Sequence, residues 1–304
     1  MSAQPGAGPA ASAASAAPSI RSRLFVALQY ALPQHTLSRL VRAATRVRTR
    51  WFKNALTRGF LRLYRVDLGE AAVADPFAYG SFNEFFTRAL APAARPIAAG
   101  ADTVTSPVDG TVSEFGAIDG DRLIQAKGRS YTLGELLAGC DWARRFQGGA
   151  FATIYLAPHD YHRIHMPCDG RLAETVFVPG RLFSVNAATA RSVPRLFARN
   201  ERVLTLFDGG RGAFALVLVG ALNVSSIATV WTGDIAPAGP RVVRRLPSPR
   251  LCLAKGAELG RFNMGSTVIL LFEPGRLRFA PDFAVGTRLY MGRAIGGLLA
   301  GPAA

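Results

Sequence analysis

Val203-Leu204-Thr205-Leu206-Phe207, then Asp208-Gly209-Gly210-Arg211-Gly212-Ala213, then Phe214-Ala215-Leu216-Val217-Leu218-Val219: residues 203–219 are two short β-rich runs parted by aspartate and glycine. Runs of this composition with turn residues between them read as strands. The same texture extends in both directions. Thr103–Val104, Thr111–Phe115, Phe151–Leu156 and Glu174–Val178 precede this stretch, and Ile227–Val230 and Thr267–Phe272 follow it. Evenly spaced short strands predict an α+β chain that is mainly β, with an antiparallel barrel-like or sandwich body. Thr132–Ala138 is the one internal segment that reads as helix.

Upstream of Arg95-Pro96 the texture differs. Residues 1–19 are almost entirely Ala, Ser, Pro and Gly, a composition that buries too little surface to order itself and predicts a disordered tail. Residues 20–66 carry basic amphipathic helices. Thr36 serves as an N-cap ahead of the apolar series Leu37, Leu40, Val41, Ala44, Val47, Trp51, with Arg39, Arg42, Arg46 and Arg50 on other faces. Phe52, Leu56, Phe60, Leu61 and Tyr64 extend the pattern, with a break expected at Gly59. No Asp or Glu occurs before Asp67, while this stretch holds eleven Arg and Lys. An arginine-flanked, acid-free apolar stripe has the composition of a helix lying in an anionic membrane interface. An ordinary helix packing its stripe on the body has the same periodicity.

The whole chain has 304 residues, 49% hydrophobic and 18% charged, with a net charge of +16. Much of that excess sits in the N-terminal arm, which implies an anionic partner. No apolar run reaches the roughly 18 residues of a membrane span, because Gly220, Asn223, Ser225 and Ser226 interrupt the best candidate. The first 20 residues lack the basic start and apolar core of a secretory signal. Three widely spaced cysteines, Cys140, Cys168 and Cys252, form no disulfide framework and suit a reducing compartment.

Three segments could carry chemistry. Pro158-His159-Asp160-Tyr161-His162-Arg163-Ile164-His165-Met166-Pro167-Cys168 holds three of the four histidines. The flanking prolines disfavour a helix, and in an extended segment residues three apart face opposite ways. His162 and His165 would then not share a metal. Separate acid–base tasks fit the spacing better, with purely structural histidines as the alternative. Asn263-Met264-Gly265-Ser266-Thr267, running into Val268–Phe272, reads as a tight turn or as an N→O acyl shift site. Gly265 lets the backbone bend, and Ser266 Oγ can reach the preceding carbonyl carbon. Ser106-Pro107-Val108-Asp109-Gly110 is a turn whose carboxylate could orient a histidine.

These segments resemble, in order, the phosphatidylserine decarboxylase family. The likeness includes Ser81-Phe82-Asn83-Glu84-Phe85-Phe86-Thr87-Arg88, Arg95-Pro96, the Asp109 turn and the run Leu156–Pro167. Further matches are Leu182-Phe183-Ser184-Val185-Asn186, Phe197-Ala198-Arg199-Asn200-Glu201-Arg202, and the Lys255-Gly256 to Gly265-Ser266-Thr267 segment. The family's usual Leu-Gly-Ser-Thr stands here as Met264-Gly265-Ser266-Thr267.

The resemblance implies a catalytic domain over 67–304, self-cleaved into chains 1–265 and 266–304. It implies that Asp109, His165 and Ser266 perform the cut at Gly265–Ser266, and that Ser266 becomes a covalent pyruvoyl cofactor. His162 would serve as acid–base in decarboxylation, with no metal involved. It further implies a phosphatidylserine substrate, an anionic phospholipid membrane as partner and a homodimer. Location at the cytoplasmic face of a bacterial inner membrane follows, the compact chain favouring a bacterium over a mitochondrion. Three rivals stand beside this reading: a non-catalytic basic protein binding membrane or nucleic acid, a serine hydrolase, and a relative acting on another amino-acid head group. The body has no RNA-binding aromatic–basic motif, which argues against nucleic acid, and no G-x-S-x-G elbow, which argues against a hydrolase.

Overall fold

The computed structural model describes residues 20–126, 128–222, 226–235 and 242–300. The Ala/Ser/Pro/Gly stretch expected to be disordered, 1–19, lies outside them. The apolar runs do form strands, and they pair antiparallel. The largest sheet has the order Arg244–Leu246, Gly170–Val178, Arg202–Gly209, Gly212–Val219, Ser266–Phe272, Ala150–Leu156, Gly110–Ala117, Arg288–Leu289, with Cys252–Leu253 also on Gly170–Val178. Among the described residues no sheet closes into a barrel. The hairpin of the opening stretch pairs Arg202–Gly209 with Gly212–Val219, and every residue from Ala213 to Val219 is buried.

Ser266–Phe272 lies at the middle of this sheet, paired with Ala150–Leu156 on one side and Gly212–Val219 on the other. All of its residues are buried, which is why it reads as a continuous apolar run instead of an alternating one. A second sheet, ordered Gly233–Ile235, Ser226–Thr229, Glu258–Asn263, Arg163–His165, brings the histidine segment beside the strand that leads to Gly265.

The N-terminal helices are α1 (Ile20–Ala31), α2 (Gln34–Thr45) and α3 (Arg50–Leu63), followed by the short α4 (Phe82–Phe86). Thr36 is not a cap. Helix α2 starts at Gln34 behind Pro33, whose ring ends α1 and favours a new start. The expected break at Gly59 is absent, and the chain breaks at 46–49 instead. Packing overrides propensity here: Leu56, Phe60 and Leu61 pack on a cluster of Phe82, Phe85 and Phe86. The apolar stripe is therefore divided. Part of it docks on the body, while Leu24, Leu28, Leu40, Trp51 and Leu63 remain exposed.

The helical turn within Thr132–Ala138 is Leu133–Leu136, capped by a reciprocal Thr132–Glu135 pair. The sequence did not signal α4, the helices Ala187–Ser192 and Leu196–Arg199, or the 3₁₀ turn Asp141–Phe146, all too short to show a period. Arg202 ties two of these turns to the large sheet. Its buried guanidinium donates to the carbonyls of Glu135, Leu136, Ala198 and Asn200 at 2.6–2.9 Å, capping the C-terminal ends of both turns. Arg202→Met would strand those carbonyls, at about 1–3 kcal/mol for an unsatisfied buried group. Denaturant unfolding should show a loss of roughly 3 kcal/mol; a change within experimental error would mean that water replaces the guanidinium freely.

Candidate active site

Gly265 and Ser266 sit where the second sheet hands over to the large one. Gly265 has φ +25° and Met264, a residue with a side chain, has φ +95°. A non-glycine residue in that region stores about 1–3 kcal/mol of strain. Met264 is held there by packing on the Phe82–Phe85–Phe86 cluster, so the family-variant position touches the same aromatic group as α3. Ser266 is 1% exposed, and its Oγ has no hydrogen-bond partner among the described residues. An orphaned buried hydroxyl costs about 1–3 kcal/mol. Gly265 and Ser266 line a pocket of about 320 Å³ together with Tyr64, Tyr155, Ser184 and Asn186.

His162 precedes the strand Arg163–His165 and is fully buried. Its ring stacks on Phe86 at 4.1 Å, which gives the Phe82–Phe86 motif a place in the site. Nε2 lies 3.3 Å from the Pro158 carbonyl, and among the described residues Nδ1 has no partner. Burial pushes its pKa down from 6.5 to about 4, so the imidazole is neutral at neutral pH.

His165 lies on the strand and faces different neighbours. Its Nδ1 is 2.8 Å from the Gly256 carbonyl, which can only accept, so Nδ1 carries the proton. Nε2 then accepts from the Tyr161 hydroxyl at 2.9 Å. Burial lowers its pKa, opposed by the Gly256 carbonyl and by the charges of Glu258 and Asp109.

Asp109 does not hydrogen-bond His165. Its carboxylate takes the Arg95 guanidinium at 2.7 Å and the Met291 backbone N–H at 2.8 Å. Arg95 also binds Glu70 at 2.6 Å and packs over Tyr290. In place of the expected Asp–His contact stands an Asp109–Arg95–Glu70 array, buried at Asp109 and Arg95 and open to solvent at Glu70, and Gly256 orients the ring. The Asp109 turn and His165 are nevertheless neighbours, since His165 N–H donates to Pro107 O at 2.8 Å. Asp109, Arg95, Arg88 and Tyr161 share a small cleft of about 130 Å³, whereas Ser266 lines the larger pocket. The structure brings Asp109 and His165 together, but joins neither to Ser266 by a hydrogen bond.

Sequence reasoning passed over Tyr161, Arg95 and Phe86 as site residues. Tyr161 stands four residues before the histidine whose ring its hydroxyl meets, and no pattern along the chain signals that contact. Arg95 had a signal, its place beside Pro96 in the motif, but nothing to say which acid it meets.

Comparison of the sequence with known proteins shows its family. A family model described as phosphatidylserine decarboxylase matches residues 82–297, and a second, described as PSD, matches 24–65. The chain belongs to the phosphatidylserine decarboxylase family. The phosphatidylserine decarboxylase proenzyme of Methylococcus capsulatus is 51% identical over 278 residues, covering 90% of this chain and 96% of that protein. That of Pseudomonas fluorescens is 52% identical, covering 91% and 98%. The proenzyme from Ectopseudomonas mendocina is 50% identical, with 91% and 99% covered. The family consists of carboxy-lyases of phospholipid biosynthesis, and the matched segments run through both histidines, Asp109 and the Gly265–Ser266 pair.

The neutral, buried state of His162 has a consequence for stability. An unfolded chain takes up a proton near pH 6.5, whereas the folded chain refuses it until about pH 4. The contribution is therefore complete above the unfolded value and is lost as pH falls through this window, at no more than about 1.4 kcal/mol per pH unit. His162→Gln should lose less stability than the parent between about pH 7 and about pH 5, by denaturant unfolding. Equal losses in the two proteins would place the buried proton acceptor elsewhere.

Proposed function

We propose that the chain cuts itself between Gly265 and Ser266, converts Ser266 into a pyruvoyl group, and decarboxylates phosphatidylserine to phosphatidylethanolamine. The observation that carries this reading is the buried Ser266 Oγ, unpartnered among the described residues, beside a left-handed Gly265 at the head of the central strand. The residues fit such a group: a side chain added at Gly265 would meet nothing within 4 Å, so that flank is open, and the pocket reaches Ser266.

In the cut, Ser266 Oγ bonds to the Gly265 carbonyl carbon and the peptide C–N bond breaks, leaving an ester. Elimination releases the Gly265 carboxylate and a dehydroalanine at 266, which water converts to the pyruvoyl group with loss of ammonia. His165 is the base for the first proton. Gly256 presents its Nε2 lone pair, which must exchange the Tyr161 hydroxyl for that of Ser266. Asp109 assists through its charge, which favours the protonated ring. A pyruvoyl group at 266 supplies a ketone for the substrate amine and an electron sink for its carboxylate-bearing carbon. His162, neutral and shielded by Phe86, moves a proton during turnover. Strand pairing holds 266–304 against 1–265 after the cut.

The exposed Leu24, Leu28, Leu40, Trp51 and Leu63, set among arginines, support peripheral docking on an anionic lipid surface. Among the described residues no helix is long and apolar enough to cross a membrane.

Ser266→Ala and His165→Ala should stay uncut on a denaturing gel. His162→Ala should be cut yet release carbon dioxide about 10²–10⁴-fold more slowly. Cleavage of Ser266→Ala at the same bond would sink the mechanism, and two uncut histidine variants would merge the two roles. For docking, Trp51→Glu with Leu63→Glu should weaken binding to anionic vesicles by roughly tenfold and leave self-cleavage intact. These exposed positions are preferable to deletion of 36–64, which would remove Leu56 and Phe60 from the body. Unchanged vesicle binding would count against this surface.

A further inference from the structure

One wall of the Ser266 pocket is the segment Leu182–Asn186, of which Ser184, Val185 and Asn186 line the cavity. Leu182, Phe183 and Ser184 belong to no strand or helix, so their backbone N–H groups need partners from elsewhere. All three donate to side-chain amides. Leu182 N–H goes to Gln34 Oε1 at 2.9 Å, Phe183 N–H to Asn200 Oδ1 at 3.0 Å, and Ser184 N–H to Gln29 Oε1 at 2.8 Å. Asn200 belongs to the body, and its amide nitrogen also holds the Phe183 and Gly220 carbonyls at 2.8 Å. Ala221 and Leu222, next to Gly220, form another part of the same pocket.

Gln29 and Gln34 come from the N-terminal helices. Gln29 lies in α1 and Gln34 opens α2, and both are almost completely buried. Gln34 Nε2 donates to the Gln29 carbonyl at 2.7 Å, locking the elbow between the helices. Tyr30 packs on Phe183 at 4.8 Å, and its hydroxyl accepts from Arg199 at 3.1 Å. The same two helices expose Leu24, Leu28 and Leu40 on their outer surface. A purely adhesive contact could have been apolar. Buried amides aimed at successive backbone N–H groups instead set the position of the segment.

We propose that Gln29 and Gln34 are positioning residues for the substrate pocket, coupling the lipid-facing helices α1 and α2 to the Leu182–Asn186 wall. With both ties made, the wall is held from the body and from the membrane side at once. With the helices displaced, the ties from the body remain, Asn200 to Phe183 and the core packing of Phe183 and Val185, but the Leu182 and Ser184 N–H groups lose their acceptors and that part of the wall loosens. Contact with a lipid surface and readiness to accept a head group are then linked, because both depend on the seating of α1. This rests on the reading of the Ser266 pocket as the substrate site.

The test compares the self-cleaved full chain with Gln29→Leu/Gln34→Leu, each single leucine variant, and Gln29→Glu. Carbon dioxide release is followed on short-chain phosphatidylserine, dispersed as monomers or presented in anionic vesicles. The double variant should still be cut at Ser266. Its KM for dispersed substrate should rise about tenfold while kcat stays within about twofold, and any gain in rate on vesicles should disappear. Single variants should show about threefold rises in KM. Gln29→Glu keeps the Oε1 acceptor for Ser184, and among the described residues Gln29 Nε2 has no partner to lose, so this variant should bring the KM back towards the wild-type value.

Wild-type KM and vesicle response in the double variant would overturn the proposal. An uncut double variant would also overturn it, by making the pair a requirement of folding or maturation. If the double variant does not fold, the single variants decide, and unchanged KM in both overturns it. Failure of the underlying reading looks different: the wild type would release no carbon dioxide, or Ser266→Ala would still be cut.

Discussion

The strand Ser266–Phe272 is the constraint on which the rest of the molecule depends. Each of its residues is paired with Ala150–Leu156, and all but the first also with Gly212–Val219. Its Val, Ile and Leu side chains are withdrawn from water, which at about 1.5–3 kcal/mol apiece makes the strand one of the costliest parts of the chain to remove. A bond broken at its head would therefore not release the fragment beyond it. The same anchoring allows Met264 and Gly265 to be held in left-handed conformations, because the segments on both sides are fixed by pairing. Strain is tolerable where the structure around it is over-determined.

Burial governs the electrostatics of the site. Burial pushes His162 and His165 both towards the neutral form, the first enclosed completely beside Phe86 with Asp160 opposing, the second opposed by the Gly256 carbonyl and by the charges of Glu258 and Asp109. Two imidazoles three residues apart thus meet different surroundings. Asp109 is kept by Arg95, which is itself shared with Glu70. That array places a fixed negative charge near His165 without spending a ring nitrogen on it, so the Gly256 carbonyl is free to choose the tautomer.

The N-terminal helices serve two surfaces. Residues that looked like one amphipathic stripe divide between the Phe82–Phe86 cluster and solvent, and the division follows from the break at 46–49. Because Met264 and His162 touch the same cluster, the helices are part of the site's scaffold as well as its outer face. Gln29 and Gln34 extend that connection to the Leu182–Asn186 segment that lines the pocket.

What the sequence determined by itself was local: the positions of the main strands, their antiparallel class, the helical character of the N-terminal arm, and the Asp109, histidine and Gly265–Ser266 segments. Hydrophobic runs, turn residues and motif order are encoded within short windows, so they survive without a fold. Phe82–Phe86 and Leu196–Arg199 escaped because they complete too little of a period, Leu133–Leu136 being the one turn of that length that was read, and Gly59 misled because Phe60 and Leu56 pack well enough to carry helix through it. Only the tertiary structure decided which partners meet. Asp109 went to Arg95, His165 to Gly256 and Tyr161, and the 182–184 backbone to Gln29, Gln34 and Asn200. Such choices depend on which buried polar groups the packing brings within 3 Å of one another, and no pattern along the chain encodes that distance.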